Sequence, residues 1–379
     1  MRVYLDNAAT TPVAPEVIEA MVSTLKDNFG NPSSTHYYGR QAKAVLETAR
    51  RSIAKHINCQ SSELIFTSGG TEADNMAIQA AVEDLGVKRI ITTAIEHHAV
   101  GHTVEAIGHK NSIEIINLTL DKKGNINLDE LRTLLSKDIK TLVTLMHANN
   151  EISTLTPLKE VSLLCREFSA YFHSDTVQTM GHYPFDLAAL DIDFITCAAH
   201  KFHGPKGTGF LYVNKNTKIA PFIHGGSQER GMRGGTENLA GIVGLVTALD
   251  LANLDIEAHQ KHVQGIKTHM INELREIFPD ISFHGEIEED KSLYTVLNVC
   301  FPKTDKSAML LFTLDLKGVA VSGGSACTSG AAKGSHVLEG IDADMTKPNV
   351  RFSFSRYTTL QEVDFAIEQI KVIYDRILV

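Results

Sequence analysis

The chain has 379 residues, more than one hydrophobic core usually serves, so two domains are expected. Hydrophobic residues make up 43% and charged residues 21%, and the formal net charge is −9; an acidic chain without a basic tract is poorly matched to nucleic acid or an anionic membrane surface. No apolar run approaches the ~20 residues that span a bilayer. The start, Met1 to Asn7, has no apolar signal core. Five cysteines, odd in number, widely spaced and without a Cys-x-x-Cys, fit reduced thiols in a cytoplasmic protein better than a disulfide framework. The sequon Asn117-Leu118-Thr119 would be idle there.

From about residue 60 to 215 short apolar runs alternate with amphipathic ones. Leu64 to Thr67, Arg89 to Ile95, Glu114 to Leu118, Thr141 to Met146, Ala170 to His173, Asp193 to Cys197 and Gly209 to Val213 read as strands. Glu72 to Glu83 and Leu158 to Ser169 read as helices between them. This alternation predicts an α/β fold with a mostly parallel sheet covered by helices, and ligands in such folds bind beyond the carboxyl ends of the strands. After residue 236, helices are expected over Leu239 to Leu254 and Glu257 to Ile277, and strands over Thr295 to Phe301, Val319 to Val321 and Val350 to Phe354. A last helix opens on the capping-box pattern Thr359-Leu360-Gln361-Glu362. Val363, Ile367, Ile370, Ile373 and Ile377 fall on one of its faces. The second part therefore reads as a smaller α+β domain, with a boundary near residue 255.

Chemistry is expected just after the strands. Thr67-Ser68-Gly69-Gly70-Thr71-Glu72 joins a strand to a helix, whose free N–H groups and partial positive charge suit a phosphate. A Gly-rich turn with Thr71 as a plain helix cap is the alternative. No Gly-Lys-Ser/Thr follows, so this is not a Walker loop. Asp175 lies past one strand and Lys201 past the next. A lysine at a buried strand end is costly to keep charged and can instead react with a carbonyl. An acid one strand away could hold a pyridine nitrogen protonated, although a structural ion pair is the other reading. A phosphate cradle, a carboxylate and a lysine at strand ends of one sheet are together the parts required by pyridoxal 5′-phosphate (PLP).

The chain also resembles a known family, the cysteine desulfurases of the NifS/IscS type, in the class V aminotransferase group of fold-type I PLP enzymes. The resemblance runs from Tyr4-Leu5-Asp6-Asn7-Ala8-Ala9-Thr10-Thr11-Pro12 to Arg351-Phe352-Ser353. Between them lie Phe29-Gly30-Asn31-Pro32-Ser33-Ser34, Glu96-His97-His98-Ala99, Asn149-Asn150-Glu151, Glu229 to Thr236 and Ser325-Ala326-Cys327-Thr328-Ser329. It implies a type I PLP-dependent transferase fold. The expected division is an N-terminal segment 1–15 packing near the small domain, a large PLP-binding domain 16–255 and a small domain 256–379 carrying Cys327.

The resemblance also implies roles. Lys201 matches the lysine to which PLP is attached, and Asp175 the partner of its pyridine nitrogen. Gln178 and Asn150 match contacts to the phenolic oxygen, Asn150 also lying near the substrate carboxylate. Gly70, Thr71 and His200 match phosphate contacts. Thr236 matches one that the family supplies from the other subunit, which implies a homodimer. His97 matches the histidine stacked on the ring and concerned with proton movement, and Arg351 the arginine that grips the carboxylate. L-Cysteine would give alanine and a persulfide on Cys327, whose sulfur passes to an acceptor protein for iron–sulfur cluster assembly or transfer-RNA thiolation.

Ala198-Ala199-His200-Lys201 departs from the family's serine-bearing lysine motif. One hydrogen bond to the phosphate should be lost, worth roughly 1.5–3 kcal/mol to a charged group. Cys327 sits among glycines and small polar residues, which predicts an exposed, mobile loop. An incidental surface thiol is the alternative. Cys197, Cys165 and Cys300 read as small buried hydrophobes, and Cys59 is uninformative. The seventeen histidines do not assemble a recognisable zinc set, so no metal is expected. Selenocysteine lyase or aminotransferase activity on the same scaffold, or a non-catalytic cluster-assembly scaffold, remain the alternatives.

Overall fold

In the computed structural model, residues 1–304, 309–323 and 334–378 are described. In chain order, the first part comprises β1 (Val3–Tyr4), α1 (Pro15–Asp27), α2 (Tyr37–His56), β2 (Leu64–Thr67), α3 (Gly70–Glu83), β3 (Arg89–Thr92), α4 (His98–Asn111), β4 (Glu114–Asn117), α5 (Leu128–Leu135), β5 (Thr141–Thr144), α6 (Leu158–Glu167), β6 (Tyr171–Asp175), β7 (Phe194–Ala198) and β8 (Gly209–Val213). The second comprises α7 (Leu239–Leu254), α8 (Ile256–Ile277), β9 (Ser282–His284), β10 (Val296–Cys300), α9 (Leu310–Leu316), β11 (Val319–Ala320), α10 (His336–Gly340), β12 (Asn349–Ser353) and α11 (Leu360–Leu378). No single described helix is long and apolar enough to cross a membrane.

Seven strands form one sheet in the order β2-β8-β7-β6-β5-β3-β4. Its central strands are buried throughout, as continuous apolar runs between two helical layers require. Only β8 runs against its neighbours. The segment from Ala198 to Gly209 is too short for the dozen or more residues of a parallel crossover, so the chain must turn straight back. Consequently Thr67, Thr92, Thr144, Asp175 and Ala198 end their strands at one edge. The strand expected to reach Ile95 stops at Thr92, and the chain leaves the sheet there towards His97.

Helices α1, α2, α4 and α5 were not anticipated. α1 opens on Pro15 with Glu16 behind it, a favourable first turn. α4 is capped by the ring of His97, whose Nδ1 accepts from the Ala99 N–H at 3.1 Å.

A second core surrounds the three-stranded sheet β12-β10-β9. Val3 and Leu5 join it, because β1 pairs with β11. Val363, Ile367, Ile370 and Ile373 of α11 are buried there. The expected capping box forms, with Thr359 N donating to Glu362 Oε2 and Glu362 N to Thr359 Oγ1. α7 and α8 meet near Asp255 at a 78° bend.

One buried ion pair locks the wall beside the site. Arg50 on α2 donates through Nη1 and Nη2 to both oxygens of Glu229, at 2.7 and 2.8 Å, and its guanidinium lies over Phe66. Glu229 also accepts from Phe66 N of β2. Removing one partner strands a buried charge. Arg50→Ala should therefore lower unfolding stability by about 3–5 kcal/mol, seen as a reduced urea midpoint.

Candidate active site

The chain crosses the carboxyl edge of the sheet several times, and a cavity of about 240 Å³ opens there. Gly70, Thr71, His97, Asn150, Asp175, Gln178, His200, Lys201 and Arg351 all line it. Nine side chains or backbones separated by up to 281 positions in sequence are thus brought together. Thr236 does not line it. It lies in a separate pocket of about 150 Å³ with Ser68, Arg233 and Asn238. Cys327 lies outside the described residues.

Each wall has a local cause. Gly70 starts α3, where a Cβ would come within 2.7 Å of Val177 Cγ2, so the helix end presents bare backbone. Glu72 braces this turn by accepting from Ser68 N at 2.8 Å and pairing with Arg233 at 2.9 Å. Asp175 ends β6 and accepts from Val177 N at 2.8 Å. Gln178, on the turn that follows, donates to the Ala8 carbonyl at 3.0 Å. Lys201 follows β7 in a 3₁₀ turn, and its Nζ donates to the carbonyls of Ala8 and Ala9 at 2.6 and 2.9 Å. His200 contacts Thr10 Oγ1 through Nδ1 at 3.1 Å. The N-terminal segment therefore lies directly over the lysine.

Arg351 lies on β12, in the second core, yet its head reaches the cavity. Nη1 donates to the Asn150 carbonyl at 3.0 Å and Nη2 to Asp6 Oδ1 at 2.8 Å, while the buried Nε has no acceptor. A guanidinium at a cavity wall suits a small carboxylate.

Burial sets the titration of this edge. It raises Asp175 to about 6, aided by the Asp74 carboxylate. It also raises Asp74 to about 7 and Glu96 to about 8. His97 is lowered by burial and then by Lys201 and its neighbouring histidines, against the pull of Asp175. Because His97 Nδ1 accepts from Ala99, its neutral ring carries the proton on Nε2. His173, on β6, is lowered to about 4 and places Nε2 3.4 Å from Asp74 Oδ1. Asp74, Glu96 and His173 were missed in the sequence. Gly70 and Asp74 are four residues apart on α3, and that i, i+4 spacing was the available signal for Asp74.

These residues fit PLP. A helix N-terminus free of side chain stands ready for a phosphate, a lysine for the carbonyl carbon and a buried carboxylate for a ring nitrogen. Asp74, His97 and Asp175 offer metal-ligand atoms within 4.8 Å of one another. The cavity around them is nevertheless many times the volume of a single ion, and the helix end and Lys201 would then be unexplained. The described cysteines are no rivals as nucleophiles: burial pushes Cys59 up to about 12 and raises Cys165, Cys197 and Cys300. The last three are buried, as anticipated.

This combination of sheet, helix end, carboxylate and lysine defines a fold-type I PLP protein. The family model for class-V aminotransferases matches residues 3–365. The chain is 42% identical to the cysteine desulfurase IscS of Dictyoglomus turgidum, covering 99% of this chain and 95% of that one. It is 41% identical to the putative cysteine desulfurase IscS 1 of Bacillus subtilis, covering 99% of each. A solved NifS-like protein superposes with a TM-score of 0.91 at 34% identity, covering 99% of this chain and all of that one. SspA, solved in complex with cysteine, gives 0.80 at 32% identity, covering 94% and 100%. The chain belongs to the class-V aminotransferase family, among its cysteine desulfurases.

Stability of the cofactor-free protein should rise with pH between 4 and 6.5. His147, His173, His182, His200 and His203 are lowered by burial to about 4, so the unfolded chain binds more protons in that range. Asp74 is raised to about 7, so the folded chain holds a proton that the unfolded chain has lost, and its contribution falls over the same range. Urea titrations should show the rise, and Asp74→Asn should make it steeper.

Proposed function

We propose that the protein is a PLP-dependent cysteine desulfurase that converts L-cysteine to L-alanine and leaves the sulfur as a persulfide on Cys327. One observation carries the choice of desulfuration over transamination. Both ends of segment 324–333 are fastened to the cavity wall. Before it, Ser322 pairs with Arg351 of β12, whose N–H donates to the Ser322 carbonyl at 2.6 Å. After it, Ser335 caps α10 and donates to Glu151 Oε2 at 2.5 Å, one residue from Asn150. Cys327 lies outside the described residues, between these two anchors in sequence.

Residues 16–255 would hold the cofactor, and 256–379 would carry the Cys327 segment, a division supported by the separate cores on either side of Asp255. The backbone at Gly70 and Thr71, with His200, would hold the phosphate. Asp175 would keep a proton on the ring nitrogen, and Gln178 and Asn150 would approach the phenolic oxygen. Lys201 would carry the group covalently. When bound, PLP supplies an electron sink that weakens bonds at the substrate Cα and Cβ.

Arg351, with Asn150 nearby, would orient the substrate carboxylate. The Lys201 amine would take the Cα proton. His97 Nε2, within the cavity, would give or receive the proton at the substrate. The Cys327 thiolate would attack the substrate sulfur, so that an S–S bond forms, the C–S bond breaks and its electrons stay with the carbon fragment. Protonation of that fragment gives alanine. The persulfide then passes to an acceptor protein for iron–sulfur cluster assembly or transfer-RNA thiolation.

A homodimer is supported by exposed apolar residues on α1, the segment after it and the start of α2, including Val22, Leu25, Phe29, Tyr37 and Tyr38. In it Thr236 would complete the partner's phosphate site. A cytoplasmic location is supported by the free thiols of the four described cysteines.

With L-cysteine and a reductant, Cys327→Ala should release alanine at least 100-fold more slowly than wild type. Wild-type turnover would overturn the nucleophile assignment. Borohydride should fix the cofactor to Lys201 in wild type and nowhere in Lys201→Ala. Ala198 lines the cavity near Gly70 without a hydroxyl. Ala198→Ser should therefore tighten PLP binding by about tenfold, one charge-assisted hydrogen bond, measured as a lowered dissociation constant.

A further inference from the structure

Two buried atoms face each other at the wall of the substrate cavity. Asp74 lies on α3, one turn after Gly70, and lines that cavity. Its Oδ1 stands 3.4 Å from Nε2 of His173 on β6. Both atoms are sealed from solvent, and neither has another hydrogen-bond partner among the described residues. On the other side of the ring, His173 Nδ1 lies 2.8 Å from Thr144 Oγ1 of β5. Leaving two buried polar atoms unpaired is costly, so a proton belongs between this oxygen and this nitrogen. Carried by His173, it requires an ionised Asp74. Carried by Asp74, it uses Nε2 as acceptor, and the proton of the neutral ring then sits on Nδ1 towards Thr144.

The surroundings choose between these two states. Asp74 and Asp175 bring carboxylate oxygens within 4.8 Å of each other, and His97 brings a ring nitrogen into the same range. Two carboxylates this close in a dry site do not readily ionise together. Asp175 has the stronger claim to the charge, because its Oδ1 accepts from Val177 N at 2.8 Å and a protonated pyridine nitrogen would lie against it. Burial raises Asp74 to about 7, opposed by the Thr196 hydroxyl, and lowers His173 to about 4, against the pull of Asp175. Glu96, the other acid at this edge, already accepts from Met146 N and the Thr93 hydroxyl.

We propose that Asp74 is a positioning residue that keeps its proton in the cofactor-loaded enzyme and donates it to His173 Nε2, so that of the two close aspartates only Asp175 carries charge to the ring nitrogen. This rests on the PLP reading above. An ionised Asp74 would compete with Asp175 for the ring's proton and would draw a proton onto His97, whose Nδ1 already accepts from Ala99 N. The series Asp74–His173–Thr144 also ties α3, whose first turn offers the phosphate site, to β6, whose end carries Asp175.

The test uses the PLP-loaded protein. Infrared difference spectra with carbon-13-labelled aspartate should reveal the carbonyl stretch of an un-ionised carboxylic acid at neutral pH; the label leaves Glu96 silent. Asp74→Asn should remove this band. A loaded wild type without it, or a band that survives in the variant, would overturn the proposal. Nitrogen-15 spectra of labelled histidine, assigned with His173→Gln, should show His173 Nε2 without a proton. A protonated Nε2 would overturn the proposal equally, and this measurement needs no Asp74 variant to fold. Asn matches the neutral acid in charge and can donate to the same nitrogen, so the PLP dissociation constant of Asp74→Asn should stay within about fivefold of wild type. A larger weakening would show that charge at Asp74 holds the ring. Borohydride trapping separates the two readings. Cofactor fixed to Lys201 without the acid band sinks this inference alone, whereas no fixed cofactor sinks the cofactor assignment and this inference together.

Discussion

Desolvation at the carboxyl edge of the seven-stranded sheet is the constraint on which the rest of the structure depends. Asp74, Glu96 and Asp175 are all buried at this edge and all are raised by burial. Protonation relieves part of that cost, because an acid raised by burial keeps its proton where a solvated one has lost it. Lys201 reaches the same edge, its Nζ donating to the carbonyls of Ala8 and Ala9. Sheet topology delivers these groups, since every strand that ends here runs in one direction and the exception, β8, only returns the chain.

The N-terminal segment joins the two cores and shapes the site at once. Val3 and Leu5 are packed into the second core, Asp6 neutralises Arg351, and the carbonyls of Ala8 and Ala9 receive the lysine. Within a few residues the segment therefore spans from hydrophobic anchoring to the reacting amine. Asp6 is also a carboxylate already seated on the guanidinium that would hold a substrate carboxylate.

The positions of the strands could be read from the sequence because buried β-branched runs leave a strong local signal, and Asp175 and Lys201 stood out because charge at the end of such a run is unusual. Thr359 and Glu362 were legible for a similar reason, since a capping box is a four-residue device. What escaped was non-local. The reversal of β8 depends on the length of its connection. The Ala8 and Ala9 carbonyls act through backbone, which no side-chain pattern records. Lys267 shows the converse limit: it is fully buried on α8, donates to Ser292 Oγ and the Leu293 carbonyl, and is lowered by burial to about 7. On an amphipathic helix nothing distinguished it from a solvated lysine.

Lys201 and Lys267 together show what burial does and does not imply. Both amines donate to backbone carbonyls, and burial opposes the charge at Lys267. Lys267 faces the packed second core, where its bonds tie α8 to the strand-leading segment at Ser292, so its displaced titration has only a structural outlet. Lys201 faces a cavity of about 240 Å³ with a helix end, a carboxylate and a guanidinium around it. The open volume and the convergent polar groups distinguish the surroundings of Lys201 from those of Lys267.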